Sequence, residues 1–164
     1  MVKFLSTLFF RTLGASGLHG SLCAGAGITA CTEDFGRLRH NDITDILNTS
    51  ALVNWGRDLK RGSVHTAAMV RQLRKAGVPV VTIAPGADTA EGFTDRFVRI
   101  RPGTDRFLAA AVLREVLRRK GVAPEVEAAC RDLPAFLGLL EGCGDDVLAW
   151  CGASREDVDF LAGL

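Results

Sequence analysis

Ser50-Ala-Leu-Val-Asn-Trp55 and Val78-Pro-Val-Val-Thr-Ile-Ala84 frame the stretch whose reading decides the fold. The first is a short, largely apolar run stopped by Gly56, and it reads as a buried strand. The second is β-branched and apolar, and it reads as another strand. Between them, Val64 to Ala76 carries apolar residues at 64, 67, 68, 70 and 73, the spacing of one helix face, and Gly77 supplies a C-cap. The polar stretch Arg57 to Ser63 reads as the connecting loop. Strand, helix and strand make a βαβ unit, which predicts parallel strands with a right-handed crossover.

Working outward, Phe97-Val-Arg-Ile100 is a third short strand. Arg101-Pro-Gly-Thr-Asp105 turns into a long helix whose spacing is traced by Phe107, Leu108, Ala111, Val112, Glu115 and Val116. Arg118, Arg119 and Lys120 suit the negative end of its dipole, and Gly121 stops it. After Pro124 only short helices are expected, the last opening at Ser154 with an acid, Asp157, at its third position. Upstream, residues 3–13 read as a helix ended by Gly14, residues 14–27 as a loop of small residues, and the next segment as a short helix to Phe35. Asp42 to Leu47 reads as a further helical turn ended by Asn48. The expected class is α/β: a parallel sheet with flanking helices, Rossmann- or flavodoxin-like, followed by a small all-helical tail. A boundary near 121–124 divides an α/β domain, 1–121, from a helical appendage, 122–164.

With 164 residues, 48% of them apolar and 24% charged, the chain can bury a core and is no disordered tail. The net charge of +1 hides an asymmetry: residues 1–121 hold 18 Lys/Arg against 10 Asp/Glu, and residues 122–164 hold 2 against 9. The basic part suits an anionic ligand, and the acidic tail equally suits the basic body as its complement. No nucleic-acid motif or stacking aromatic series accompanies the basic surplus, so nucleic acid is not an expected partner. The N-terminal run Phe4-Leu-Ser-Thr-Leu-Phe-Phe10 fits a core helix through its i,i+4 apolar pairs, or the start of a signal peptide; Arg11 cuts it at the lower edge of a signal core. No stretch reaches the roughly 18 apolar residues a membrane span needs.

Cysteines at 23, 31, 130, 143 and 151 are odd in number and include no C-x-x-C, so free thiols in a reducing, cytoplasmic compartment are expected. His19 and His40 read as solvated loop residues, and His65 as a helix-start residue.

Ligands of open parallel sheets bind beyond the carboxyl ends of the strands. Three loops fall there: Gly56-Arg57-Asp58, Pro85-Gly86-Ala87-Asp88 and Pro102-Gly103-Thr104-Asp105. Glycines let backbone N–H groups approach phosphate, and a carboxylate can accept from ribose hydroxyls or from the N1–H and N2–H of guanine. Each also has a plain structural reading, Gly56 and Gly86 as turn glycines, Thr104 as an N-cap and Asp105 as a first-turn acid. Neither G-x-G-x-x-G after a strand nor a Walker A pattern occurs. Cys23 lies among small residues that would leave a thiolate accessible; a soft thiolate suits Mo, W or Cu(I), and a buried structural cysteine is the alternative.

Gly20-Ser-Leu-Cys-Ala-Gly-Ala-Gly27, Leu52-Val-Asn-Trp-Gly-Arg-Asp58, Val80-Val-Thr-Ile-Ala-Pro85 and Arg99-Ile-Arg-Pro-Gly-Thr-Asp105 occur in an order and spacing that resembles the molybdopterin oxidoreductases of the DMSO reductase and formate dehydrogenase group, from about Phe9 to Leu117. The resemblance implies a domain binding molybdopterin guanine dinucleotide with Mo or W. It implies that Cys23, 33 positions before Gly56, is the metal ligand and catalytic residue. Gly56, Asp58, Ser63, His65, Pro85, Gly86, Gly103, Thr104 and Asp105 then contact the cofactor, the last three at the guanine. Three departures stand out: Asp58 replaces the usual Asn, Ala84 and Gly86 replace the usual Asp and Arg, and the chain is several times shorter than these enzymes. The expectation is a cofactor-binding portion of a Mo/W oxidoreductase, inactive alone, with a second chain carrying the missing domains as a possible partner. The alternatives are a non-catalytic remnant or assembly module, and another nucleotide-binding, flavodoxin-like domain.

Overall fold

The computed structural model describes residues 2–17, 22–38, 41–86 and 92–164. They form two compact units, residues 1–42 and 43–164.

The first unit holds two helices, α1 (Val2–Thr12) and α2 (Leu22–Phe35). Gly14 follows α1 at a φ of 70°, a left-handed value glycine adopts without strain. The i,i+4 apolar pairs do form a helix, but Leu5, Leu8, Phe9 and Phe10 are each more than half exposed, so α1 is not the core helix its pattern predicts. α2 begins at Leu22, within the expected loop. Leu22, Ala24 and Ala26 are strong helix formers and offset the cost of Gly25 and Gly27. Cys23 is therefore the second residue of a helix rather than part of a bend; its side chain lies outside what the structure describes, as do the whole of His19 and His40.

The second unit opens with a 3-10 helix (Ile43–Asn48) and continues β1 (Leu52–Trp55), α3 (Leu59–Gly62), α4 (Val64–Lys75), β2 (Val80–Ala84), β3 (Arg96–Arg99), α5 (Asp105–Lys120), α6 (Pro124–Ala129), α7 (Leu133–Glu141), α8 (Asp146–Cys151) and α9 (Arg155–Leu161). The three strands form one parallel sheet in the order β1-β2-β3. Leu52 pairs with Val80 and Trp55 with Ile83; Val81 pairs with Arg96 and Ala84 with Arg99. The fold class is thus α/β with a parallel sheet. β1 is an edge strand, half-buried rather than buried, with Val53 42% and Trp55 40% exposed.

Alternation along β2 sends its side chains to two cores. Val81 and Ile83 join Val98, Ile100, Leu108 and Ala111, together with Val147, Cys151, Val158 and Leu161 of the tail. Val80 joins Ala67, Val70, Leu59 and Phe93 on the other face. The sheet is thus layered between α4 and the α5–α8–α9 group.

The opposite charges of body and tail meet as ion pairs. Arg96 at the start of β3 donates to Glu156 at 3.0 Å and Asp157 at 2.9 Å. Arg119 of α5 pairs with Asp159 at 2.8 Å, and Arg114 pairs with Asp145 while donating to the Cys143 carbonyl. Glu115, 3% exposed on the otherwise apolar stripe of α5, accepts from Arg118, Arg119 and, across the interface, Arg155 at 2.7 Å. Hydrogen bonds from Arg118 and Arg119 hold its carboxyl down to about 2. Burial pushes the Asp157 carboxyl up, but hydrogen bonds from Ser154 and Arg96 outweigh it and keep it below the usual range. Ser154 and Asp157 form the reciprocal capping box expected at the start of α9. Much of the basic surplus on α5 and β3 is thus the complement of the acidic tail.

Candidate functional site

The carboxyl ends of β1 and β2 open into a crevice of about 220 Å³. Gly56, Arg57 and Asp58 form one wall, and Ala84, Pro85 and Gly86 the other. The local chain explains the opening. Gly56 extends the ladder by donating to the Ile83 carbonyl at 2.8 Å, then turns away at a φ of 70°. A Cβ on Gly56 would meet nothing within 4 Å, so space at the strand tip is open.

Asp58 turns out of the strand line and caps α3, accepting from the Arg61 amide at 3.0 Å. This cap replaces the expected loop by a single helical turn, which no apolar periodicity announces. The Asp58 carboxylate also faces the Arg61 guanidinium at 3.6 Å, which offsets its negative charge beside the crevice.

The floor is polar. Asn54 of β1 donates to the Arg57 carbonyl at 2.9 Å and lies 3.4 Å from the Thr82 hydroxyl, its partner in the strand register. Thr82 is 3% exposed. Leu59 and Phe93 close the apolar side, and Arg71 stacks on Phe93 at 4.5 Å. Asn54, Thr82, Leu59 and Phe93 were not singled out from the sequence. The available signal was one polar residue inside each apolar strand, at positions that prove to be paired.

Ser63 and His65 do not line this crevice. Ser63 is the N-cap of α4, accepting from the Thr66 amide at 3.4 Å, and His65 is exposed on its first turn. At the third strand end, Gly103 has a φ of 75° with open space where a Cβ would stand. Thr104 occupies the N-cap position of α5 but makes no capping bond; its hydroxyl donates instead to the Arg101 carbonyl at 2.6 Å. Asp105, the first residue of α5, accepts from the indole N–H of Trp55 at 2.7 Å. The sequence-predicted residues therefore fall into three groups: Gly56, Asp58, Pro85 and Gly86 around the crevice, Gly103 to Asp105 at the next strand end, and Ser63 with His65 on α4. Cys23 belongs to the other compact unit. Among the described residues no group of three His, Cys, Asp or Glu side chains converges to hold a metal ion. Also among the described residues, no helix is long and apolar enough to cross a membrane.

No family model matches the chain. It is 31% identical over 170 residues to the probable oxidoreductase YyaE of Bacillus subtilis (strain 168), an alignment covering all of this chain and 25% of the relative. It is 27% identical over 160 residues to the probable oxidoreductase YoaE of the same organism, covering 95% of this chain and 23% of the relative. The chain thus spans about a quarter of the length of these curated relatives. Among solved structures, acetylene hydratase from Pelobacter acetylenicus matches with a TM-score of 0.73 at 19% identity, over 85% of this chain and 19% of that one. Over that stretch the two share a fold.

Proposed function

We propose that this chain is the part of an oxidoreductase that binds the guanine dinucleotide end of a molybdopterin cofactor. The observation that carries the reading is the crevice at the carboxyl ends of β1 and β2; the Gly103 turn and Asp105 stand separately at the end of β3. The likeness to two probable oxidoreductases supports the reaction class.

The residues present fit the nucleotide part of such a group. Gly56 and Gly103 offer backbone beside open space, which suits the approach of phosphate or sugar. The N-terminus of α5, a helix of 16 residues, favours negative charge. Arg57 supplies a cation on the crevice wall, and Asp105 supplies acceptors for the N–H edge of guanine. The crevice volume of about 220 Å³ is below the roughly 300–1,000 Å³ of pockets that enclose a whole ligand. It therefore seats one segment of an extended nucleotide, with the remainder lying along the strand tips. When bound, the metal and pterin supply the redox or oxygen-atom chemistry. The chain's part is to bind, orient and screen charge. Cys23 is proposed as the metal ligand through its thiolate, and Ser63 and His65 as outer contacts from α4.

The test is to express the chain in a host that makes molybdopterin guanine dinucleotide and assay the purified protein for pterin fluorescence after oxidation, and for Mo or W. Pterin that co-purifies and is lost in Asp105→Ala supports the reading. A chain free of pterin, or one carrying a flavin instead, contradicts it.

A further inference from the structure

Resting on that reading, we propose that Trp55 is a positioning residue for guanine recognition: its indole N–H fixes the Asp105 carboxylate so that the remaining acceptor sites face a purine with adjacent N–H donors. Trp55 ends β1 and Asp105 follows β3, 50 positions later, so the 2.7 Å bond links two loops at the carboxyl edge of the sheet. Without a partner, an exposed aspartate at the start of a helix would turn among its rotamers.

Thr104 does not hold it, because the Thr104 hydroxyl is committed to the Arg101 carbonyl. Indole is a donor only, so the bond needs an acceptor, which the Asp105 side-chain oxygen supplies. A carboxylate has about four acceptor sites; the indole uses one, at Oδ1, and leaves Oδ2 and part of Oδ1 for a ligand. Two acceptors on one carboxylate match the N1–H and N2–H of guanine. Adenine presents an acceptor at N1 and has no 2-amino group. Trp55 is 40% exposed, and Val53 on the same face of β1 is equally open, so the indole is not a core side chain held by packing.

The experiment is calorimetric titration of the full chain with GDP, ADP and xanthosine diphosphate. Wild type prefers GDP to ADP. In Trp55→Phe the GDP affinity falls about tenfold, the scale of one charge-assisted hydrogen bond, while ADP affinity stays unchanged. Asp105→Asn keeps the indole in place. The indole N–H then takes the amide oxygen and turns the NH2 toward the base, so preference passes to xanthosine diphosphate, whose O2 is an acceptor. Adding Trp55→Phe to Asp105→Asn erases that preference. Circular dichroism checks that each variant is folded, and the Asp105→Asn comparison stands if Trp55→Phe alone is not. A wild-type GDP preference that depends on Asp105 and persists unchanged in Trp55→Phe overturns the positioning role alone. A wild type that does not distinguish GDP from ADP overturns the guanine reading and the role of Trp55 with it.

Discussion

The indole N–H of Trp55 donates to Oδ1 of Asp105 at 2.7 Å, tying the tip of the edge strand to the first residue of the longest helix. Both residues are exposed, so water competes for the bond in the unliganded protein. Trp55→Phe is therefore expected to change stability by less than about 1 kcal/mol. Thermal melting checks this, and a large loss would mean that the bond is structural rather than poised for a ligand.

Glu115 sets a pH dependence. Its carboxyl is held at about 2 against an ordinary 4.5, first by Arg118 and then by Arg119. A carboxyl whose folded value lies below its unfolded one stabilises the fold fully above the unfolded value and loses that contribution as pH falls through the folded one. The window runs from about pH 5 down to about pH 2. Asp95, lowered by its hydrogen bond from Arg74, acts with the same sign. Melting temperatures of wild type and Glu115→Gln are expected to differ most near neutral pH and to converge as pH falls through this window. A constant difference would contradict the account.

The tail completes the sheet's larger core. Val147, Cys151, Val158 and Leu161 cluster with Ile83, Val98 and Leu108. A chain ending at residue 121 would expose that face and leave Glu115 without Arg155. It is expected to lose cooperative thermal unfolding, while Leu108→Ala in the full chain costs about 2–5 kcal/mol. A sharp, unshifted melt of the shortened chain would show that the tail is dispensable.

The strand-end glycine turns are expected to matter locally. Gly103→Ala forces a side chain into a φ of 75° and costs about 1–2 kcal/mol, though no neighbour obstructs the Cβ. Chemical denaturation measures it. A neutral result would mean that the turn has relaxed to another conformation.

The parts of the fold legible in the sequence were those with a period. Val81 and Ile83, the apolar face of α4, and the Ser154–Asp157 box each announce themselves within a few residues. α3 did not, because one turn capped by Asp58 has no period to read. Glu115 was read only as one position of the stripe that traces α5; the partner that explains its burial across the interface, Arg155, lies 40 residues away. The same distance problem hid the Trp55–Asp105 bond and the Asn54–Thr82 floor, whose members are 50 and 28 positions apart. α1 shows the converse error: an apolar pattern sufficed for a helix, but Leu8 and Phe9 stay exposed. Of the candidate site, sequence placed Gly56, Asp58, Pro85 and Gly86 where a shared crevice exists, because strand ends follow directly from strand assignment.

The central claim is that a guanine nucleotide lies along the carboxyl edge of this sheet. Amide chemical-shift mapping of the labelled chain during titration with GDP tests it most directly. Shifts concentrated at Gly56, Asp58, Gly86, Gly103 and Asp105, with the Trp55 indole proton moving alongside, are the predicted result. Shifts confined to other surfaces, or none at millimolar GDP, would contradict it.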